Sequence, residues 1–126
     1  MDLIDYQIAT RTTAIYGEAA ENLANPSITP RANLERQLSL FYVATKLCGE
    51  AGEAAEHIGK MMRDDYGKQT AQRSDMLRKE LGDVAWYWAR LCDELGFNPE
   101  EILEENIKKL ESRRDRNVIH GSGSDR

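Results

Sequence analysis

The sequence is poor in the features that mark secreted, fibrous or membrane-spanning chains. It holds two cysteines in 126 residues, Cys48 and Cys92. They lie too far apart for a zinc or redox spacing, and each sits among apolar neighbours in a helical pattern. Both are therefore expected as reduced core residues. No hydrophobic run approaches the length of a membrane span, so no membrane partner is expected. The opening MDLIDYQ has no basic segment followed by an apolar stretch, so no signal peptide is expected and the cytoplasm is the natural compartment. No segment sustains period-two alternation, which excludes a substantial sheet. Positive charge is in deficit, with a formal net charge of −5. That is the wrong field for duplex nucleic acid, and no nucleic-acid partner is expected. A phosphate-bearing small molecule remains compatible, because a bound metal ion inverts the local charge.

What is present is globular and helical. Hydrophobic residues make up 40% and charged residues 31%, a composition that folds. The length suits a single domain spanning 1–126 with a modest core, which oligomerisation would enlarge. Four helices are predicted. The first runs from about Asp2 to Leu23 and is broken by Asn25-Pro26-Ser27-Ile28-Thr29-Pro30. The second runs from about Ala32 to Arg63, and the third from Ser74 or Asp75 to Leu95, ahead of Gly96. The fourth opens on Asn98-Pro99 with Glu101 at a capping-box spacing and runs to about Arg114. Residues 117–126, rich in Gly and Ser, are expected to form a flexible tail.

The chemistry concentrates in four acids. Glu50-Ala51-Gly52-Glu53 lies on the second helix and Glu80-Leu81-Gly82-Asp83 on the third. A spacing of i,i+3 puts both carboxylates of each pair on one face, where they repel unless a cation neutralises them. Two such pairs on packed antiparallel helices present four oxygen donors, the hard ligands that Mg²⁺ takes. Gly49, Gly52, Gly59 and Gly82 all fall inside helical patterns, at about 1 kcal/mol each relative to Ala. Close approach of a helix or of substrate is the expected reason. The competing reading is plain: Glu on a helix is usually solvated, and Lys46–Glu50 and Glu56–Lys60 are spaced as ordinary i,i+4 pairs.

At these residues the sequence resembles the MazG-like all-α nucleoside triphosphate pyrophosphohydrolases, which carry ExxE on one helix and ExxD on the next. GEAGEAAE at 49–56 and KELGDVAWYWARL at 79–91 match that context. DYQIATRTTAIYG and NIKKLESRRDRNVIHGSGSDR look like the first helix, and the fourth helix and tail, of a small phage and bacterial branch. The resemblance implies a four-helix bundle-like fold, assembled as a homodimer or homotetramer, in the host cytoplasm if phage-encoded. It implies cleavage of a nucleoside triphosphate between the α and β phosphates. It also implies that Glu50, Glu53, Glu80 and Asp83 are catalytic and bind Mg²⁺, with Mn²⁺ able to substitute and more than one ion per site. The branch points to a purine substrate such as dGTP or GTP.

Other candidates follow. Glu53 is expected to hold the attacking water and accept its proton. Asn106, Lys109 and Arg113 recur at i, i+3 and i+7 on the fourth helix and are candidate phosphate binders, as is Lys60. A solvated basic helix end explains the same residues without a ligand. Trp86 and Trp88 are expected in a core or interface. Two alternatives remain. One is a non-catalytic helical dimer acting as a binding or scaffold module. The other is a di-iron carboxylate bundle, which lacks its Glu-x-x-His motifs here, since neither His57 nor His120 follows a Glu by three.

Overall fold

The computed structural model describes residues 2–124, and its regular structure is entirely helical. In chain order the elements are α1 (Leu3–Thr10), a short 3-10 turn (Arg11–Thr13), α2 (Tyr16–Ala24), α3 (Arg31–Asp64), α4 (Ala71–Leu95) and α5 (Pro99–Asp115). No strand occurs among the described residues, in line with the missing alternation. The chain divides into two compact units, Met1–Ser39 and Leu40–Arg126.

The first unit departs from the prediction of one helix over Asp2–Leu23, since two α-helices flank the 3-10 turn. The hydroxyls of Thr10, Thr12 and Thr13 donate to the carbonyls of Gln7, Ala9 and Thr10, three residues back in each case. Such local bonds compete with the helical ladder, and β-branched residues lose side-chain freedom inside it. Ala14 then leaves helical geometry at φ −84°, ψ 79°. α1 begins on a capping box, with Asp2 and Asp5 each accepting from the other's backbone N–H. The break at 25–30 is as expected. Asn25 Oδ1 accepts from the Ser27 N–H, and the buried Thr29 donates its hydroxyl to the Asn22 carbonyl at 2.9 Å.

In the second unit α4 starts earlier than predicted. Thr70, rather than Ser74 or Asp75, is the cap, its side chain accepting from the Arg73 N–H at 3.1 Å. α3 exits through Tyr66 and Gly67 at φ 53° and 74°. α4 ends at Gly96, φ 74°, with the Phe97 N–H donating to the Cys92 carbonyl at 2.9 Å, the αL closure that glycine allows. α5 is capped by Asn98 accepting from the Glu100 N–H at 2.9 Å, with Pro99 at the first helical position.

Glu50 lies near Glu80 and Asp83, and side-chain contacts join His57 to Glu80 and Arg73, and Asp65 to Arg73. Numbering rises along α3 as it falls along α4, so the two form an antiparallel hairpin. The shielded positions of α3 include Leu40, Val43, Leu47, Glu50, Ala54, His57 and Met61. Those of α4 include Arg73, Leu77, Glu80, Val84, Tyr87, Leu91 and Glu94. Both series step alternately by three and four, the heptad spacing of helices packed along an apolar seam. Glu50, His57, Arg73 and Glu80 are thus polar groups on positions that ordinarily take apolar side chains.

One chain covers little of its apolar surface. Among the described residues only Met61 and Cys92 are buried hydrophobics, whereas Phe41 is 72% exposed and Leu81 59%. The modest core expected from length is therefore not completed within one chain. Cys92 is buried as expected, but Cys48 is exposed, and both are free thiols. The helix turns by roughly 100° per residue, which carries Cys48 off the seam that holds Leu47. On α5, Leu103, Ile107 and Leu110 are also exposed. No helix is long and apolar enough to cross a membrane, among the described residues.

Candidate functional site

The hairpin brings one carboxylate oxygen from each of Glu50, Glu80 and Asp83 within 4.8 Å of one another. Glu50 is buried, Glu80 is half-buried and Asp83 is exposed, so the cluster opens from the seam toward solvent. Three converging oxygens are the donor type that divalent cations of the Mg²⁺ class take. On one Mg²⁺ adjacent oxygen ligands lie about 2.9 Å apart and opposed ones about 4.2 Å, so the three side chains must draw inward to grip such an ion. The residues present therefore fit a divalent cation.

Glu53, expected as a fourth member, is not in this group and its side chain is exposed. A step of three residues leaves it roughly 60° round the helix from Glu50, at the rim of the seam rather than in it.

Glu50 already has a cation beside it. Lys46 Nζ lies 2.8 Å from Glu50 Oε1 and 5.6 Å from the centre of the Tyr87 ring. The hydrogen bond and the charge of Glu50 hold the Lys46 ammonium above the usual lysine range. Tyr87 in turn meets Trp86 edge to face at 4.8 Å, and Trp86, expected in a core or interface, is largely exposed in this single chain. Lys60, a candidate for phosphate, pairs with Glu56 at 2.8 Å on its own helix. That hydrogen bond, with the charge of Lys60, holds the Glu56 carboxyl below the usual carboxylate range.

The glycines yield a correction. A Cβ added at Gly49, Gly52, Gly59 or Gly82 would meet nothing within 4 Å. Close approach of the helices of one chain is not what these glycines serve. The bare backbone beside Glu50, Glu53 and Asp83 faces open space.

On α5, Asn106 and Lys109 are exposed while Arg113 is buried. Arg113 Nη2 donates to the carbonyls of Gly123 at 3.2 Å and Ser124 at 2.6 Å. Among the described residues its Nε is buried without a hydrogen-bond partner. The segment expected as a flexible tail is, through Ser124, tied back onto the end of α5 by this guanidinium.

His57, which the sequence offers as a lone histidine four residues after Glu53 and more often structural or solvated than a ligand, is set by the hairpin between Glu80 and Arg73. Its spacing of seven from Glu50 was the available signal, since a heptad step returns to the same seam position.

An all-helical chain with carboxylates converging across a helical hairpin defines a class, the all-α domains with an acidic cluster on facing helices that could hold a divalent cation. Comparison with known proteins makes the class specific. Residues 40–118 match the MazG nucleotide pyrophosphohydrolase domain, and the chain belongs to that family. It is also 40% identical over 121 residues to Gene 37 protein of Mycobacterium phage L5, covering 96% of each chain. No solved structure matches. The family is metal-dependent and acts on nucleotides, and Glu50, Glu80 and Asp83 supply an acidic triad able to bind the metal.

Proposed function

We propose that the chain is a Mg²⁺-dependent nucleoside triphosphate pyrophosphohydrolase that splits the α–β phosphoanhydride, giving the monophosphate and pyrophosphate. The observation that carries this reading is the convergence of Glu50, Glu80 and Asp83 inside the segment that matches the MazG domain. Mn²⁺ serves in place of Mg²⁺, and the site takes more than one ion. Bound there, the metal neutralises the triphosphate, orients it and acidifies a bound water.

The chain's own groups do the rest. Glu50, Glu80 and Asp83 hold the metal. Glu53, exposed at the rim, completes the set of four acids, and holds the water and accepts its proton. Lys60, Asn106 and Lys109 meet the phosphates, Lys60 by exchanging its partner Glu56. Arg113 joins them only when it gives up the carbonyls of Gly123 and Ser124, so its contribution is linked to release of the C-terminal segment. We further propose a purine substrate such as dGTP or GTP, on the resemblance to the phage-type branch. The whole chain is read as one functional domain, with residues 40–118 matching the family and the remainder flanking it.

The test is a panel of the eight common NTPs and dNTPs incubated with Mg²⁺ and assayed for pyrophosphate. Release from at least one, with dGTP or GTP fastest, is expected. Release from none leaves the non-catalytic binding module as the better reading. Orthophosphate together with a nucleoside diphosphate means that the wrong bond has been assigned.

Assembly as a homodimer or homotetramer belongs to the same proposal. Soluble monomers rarely leave large contiguous apolar patches uncovered, and Phe41, Leu81, Trp86, Leu103 and Ile107 are all more than half exposed in one chain. Light scattering is expected to give at least twice the 14.3 kDa of the chain. A mass of one chain at micromolar concentration rejects the assembly.

A further inference from the structure

The seam of the α3–α4 hairpin carries a line of polar groups that the cation-binding acids alone do not require. Asp65 Oδ2 accepts from Arg73 Nε at 2.9 Å. Arg73 Nη1 lies 3.4 Å from His57 Nδ1, and His57 Nε2 lies 3.6 Å from Glu80 Oε1. These four side chains are only 14% to 20% exposed. His57, Arg73 and Glu80 occupy heptad positions where an apolar residue would pack better. The start of α4 adds to the order, because Thr70 caps the backbone N–H of Arg73 itself.

The chemistry of the donors gives this line a direction. A guanidinium has N–H donors and no acceptor. Where Arg73 points at His57 Nδ1, that nitrogen accepts, and the ring proton of the neutral imidazole sits on Nε2, the nitrogen facing Glu80. At 3.6 Å the last contact is longer than a hydrogen bond, and a shift of about half an ångström makes it one. A carboxylate ligand with one oxygen held by a fixed N–H donor turns its other oxygen to the metal in a set orientation.

We infer that His57 is a positioning residue for Glu80, its ring oriented by Arg73, which Asp65 anchors. The inference rests on the reading of Glu80 as a metal ligand. It assigns to His57, Arg73 and Asp65 the task of presenting that ligand rather than touching substrate.

The test uses the full chain without nucleotide. Nitrogen-15 NMR of the wild-type imidazole in mildly alkaline buffer is expected to show the Nε2–H tautomer for His57. Mn²⁺ affinity, read by electron paramagnetic resonance, is expected to fall about ten- to a hundredfold in His57→Leu. Leu suits a seam position, so this variant is expected to fold. Arg73→Met is expected to weaken Mn²⁺ binding in the same direction and to let the Nδ1–H tautomer appear. Arg73→Lys, which keeps a cationic donor, moves both readouts back toward wild type. An Nδ1–H tautomer in the wild type, or unchanged Mn²⁺ affinity in His57→Leu, overturns the inference. A chain that shows the expected tautomer and affinities yet releases no pyrophosphate overturns the pyrophosphohydrolase reading and leaves His57 in its assigned role. A chain that cleaves nucleotide while His57→Leu binds Mn²⁺ normally overturns this inference alone.

Discussion

Glu50→Gln is expected to leave the protein folded and to lower pyrophosphate release by at least about a hundredfold, since changes outside the ligand shell already reach that size. Glu50 is the buried member of the cluster and the one that Lys46 holds at 2.8 Å. Glutamine keeps the shape and still accepts from Lys46, but it removes one of three charges that a cation must balance. In thermal melts, wild-type protein is expected to gain stability with Mg²⁺. The gain is about 2.7 kcal/mol at a hundred times the dissociation constant, because the ion binds only the folded site. The variant is expected to gain almost nothing, while melting without Mg²⁺ no lower than wild type, because carboxylate repulsion has been relieved. Turnover within tenfold of wild type, with the Mg²⁺ gain retained, removes Glu50 from the site.

Glu53→Gln is expected to behave differently. Glu53 is exposed and lies outside the cluster of Glu50, Glu80 and Asp83. In its proposed role of positioning the water and taking its proton, it would contribute about 10²- to 10⁴-fold to the rate. The variant is therefore expected to lose that factor in turnover while keeping most of the Mg²⁺-dependent rise in melting temperature. If turnover and the Mg²⁺ gain vanish together, Glu53 is a metal ligand like the other three and the proton passes elsewhere. If turnover survives, Glu53 has no part in the chemistry. Comparing it with Glu50→Gln separates holding the ion from using the water, which the four-acid motif alone treats as one task.

The helices were legible where a periodic apolar pattern was long and bounded by strong caps. α3 and α5 match the predicted spans closely, with Asn98-Pro99 opening α5 as expected. Legibility failed where local side-chain bonding outweighs pattern. Thr10, Thr12 and Thr13 divide the predicted first helix by donating to nearby carbonyls. Thr70 captures the start of α4 ahead of two equally plausible caps, Ser74 and Asp75. The four acids were readable because i,i+3 spacing is a local property of a helix. His57 was not, because its partners Glu80 and Arg73 come from another helix.

Arg113 makes the same point on α5. By spacing it shares a face with Asn106 and Lys109, and by charge it suits a phosphate. In the fold it is buried and clasps the carbonyls of Gly123 and Ser124. A positive charge at the last turn of a helix is favourable for the helix itself, so residue type and position could not tell an anchor from a ligand.

The sequence by itself determined the helical class and the acidic motifs, because periodicity, caps and motif spacing are properties of short stretches of chain, and its likeness to known chains placed it in a nucleotide pyrophosphohydrolase family. The tertiary structure alone decided which acids meet. Antiparallel pairing of α3 and α4 puts Glu50, Glu80 and Asp83 within 4.8 Å and leaves Glu53 at the rim. It also aligns Asp65, Arg73 and His57 behind Glu80. Which oxygens converge depends on the rotation and register of two helices against each other, and the packing of the whole seam sets both.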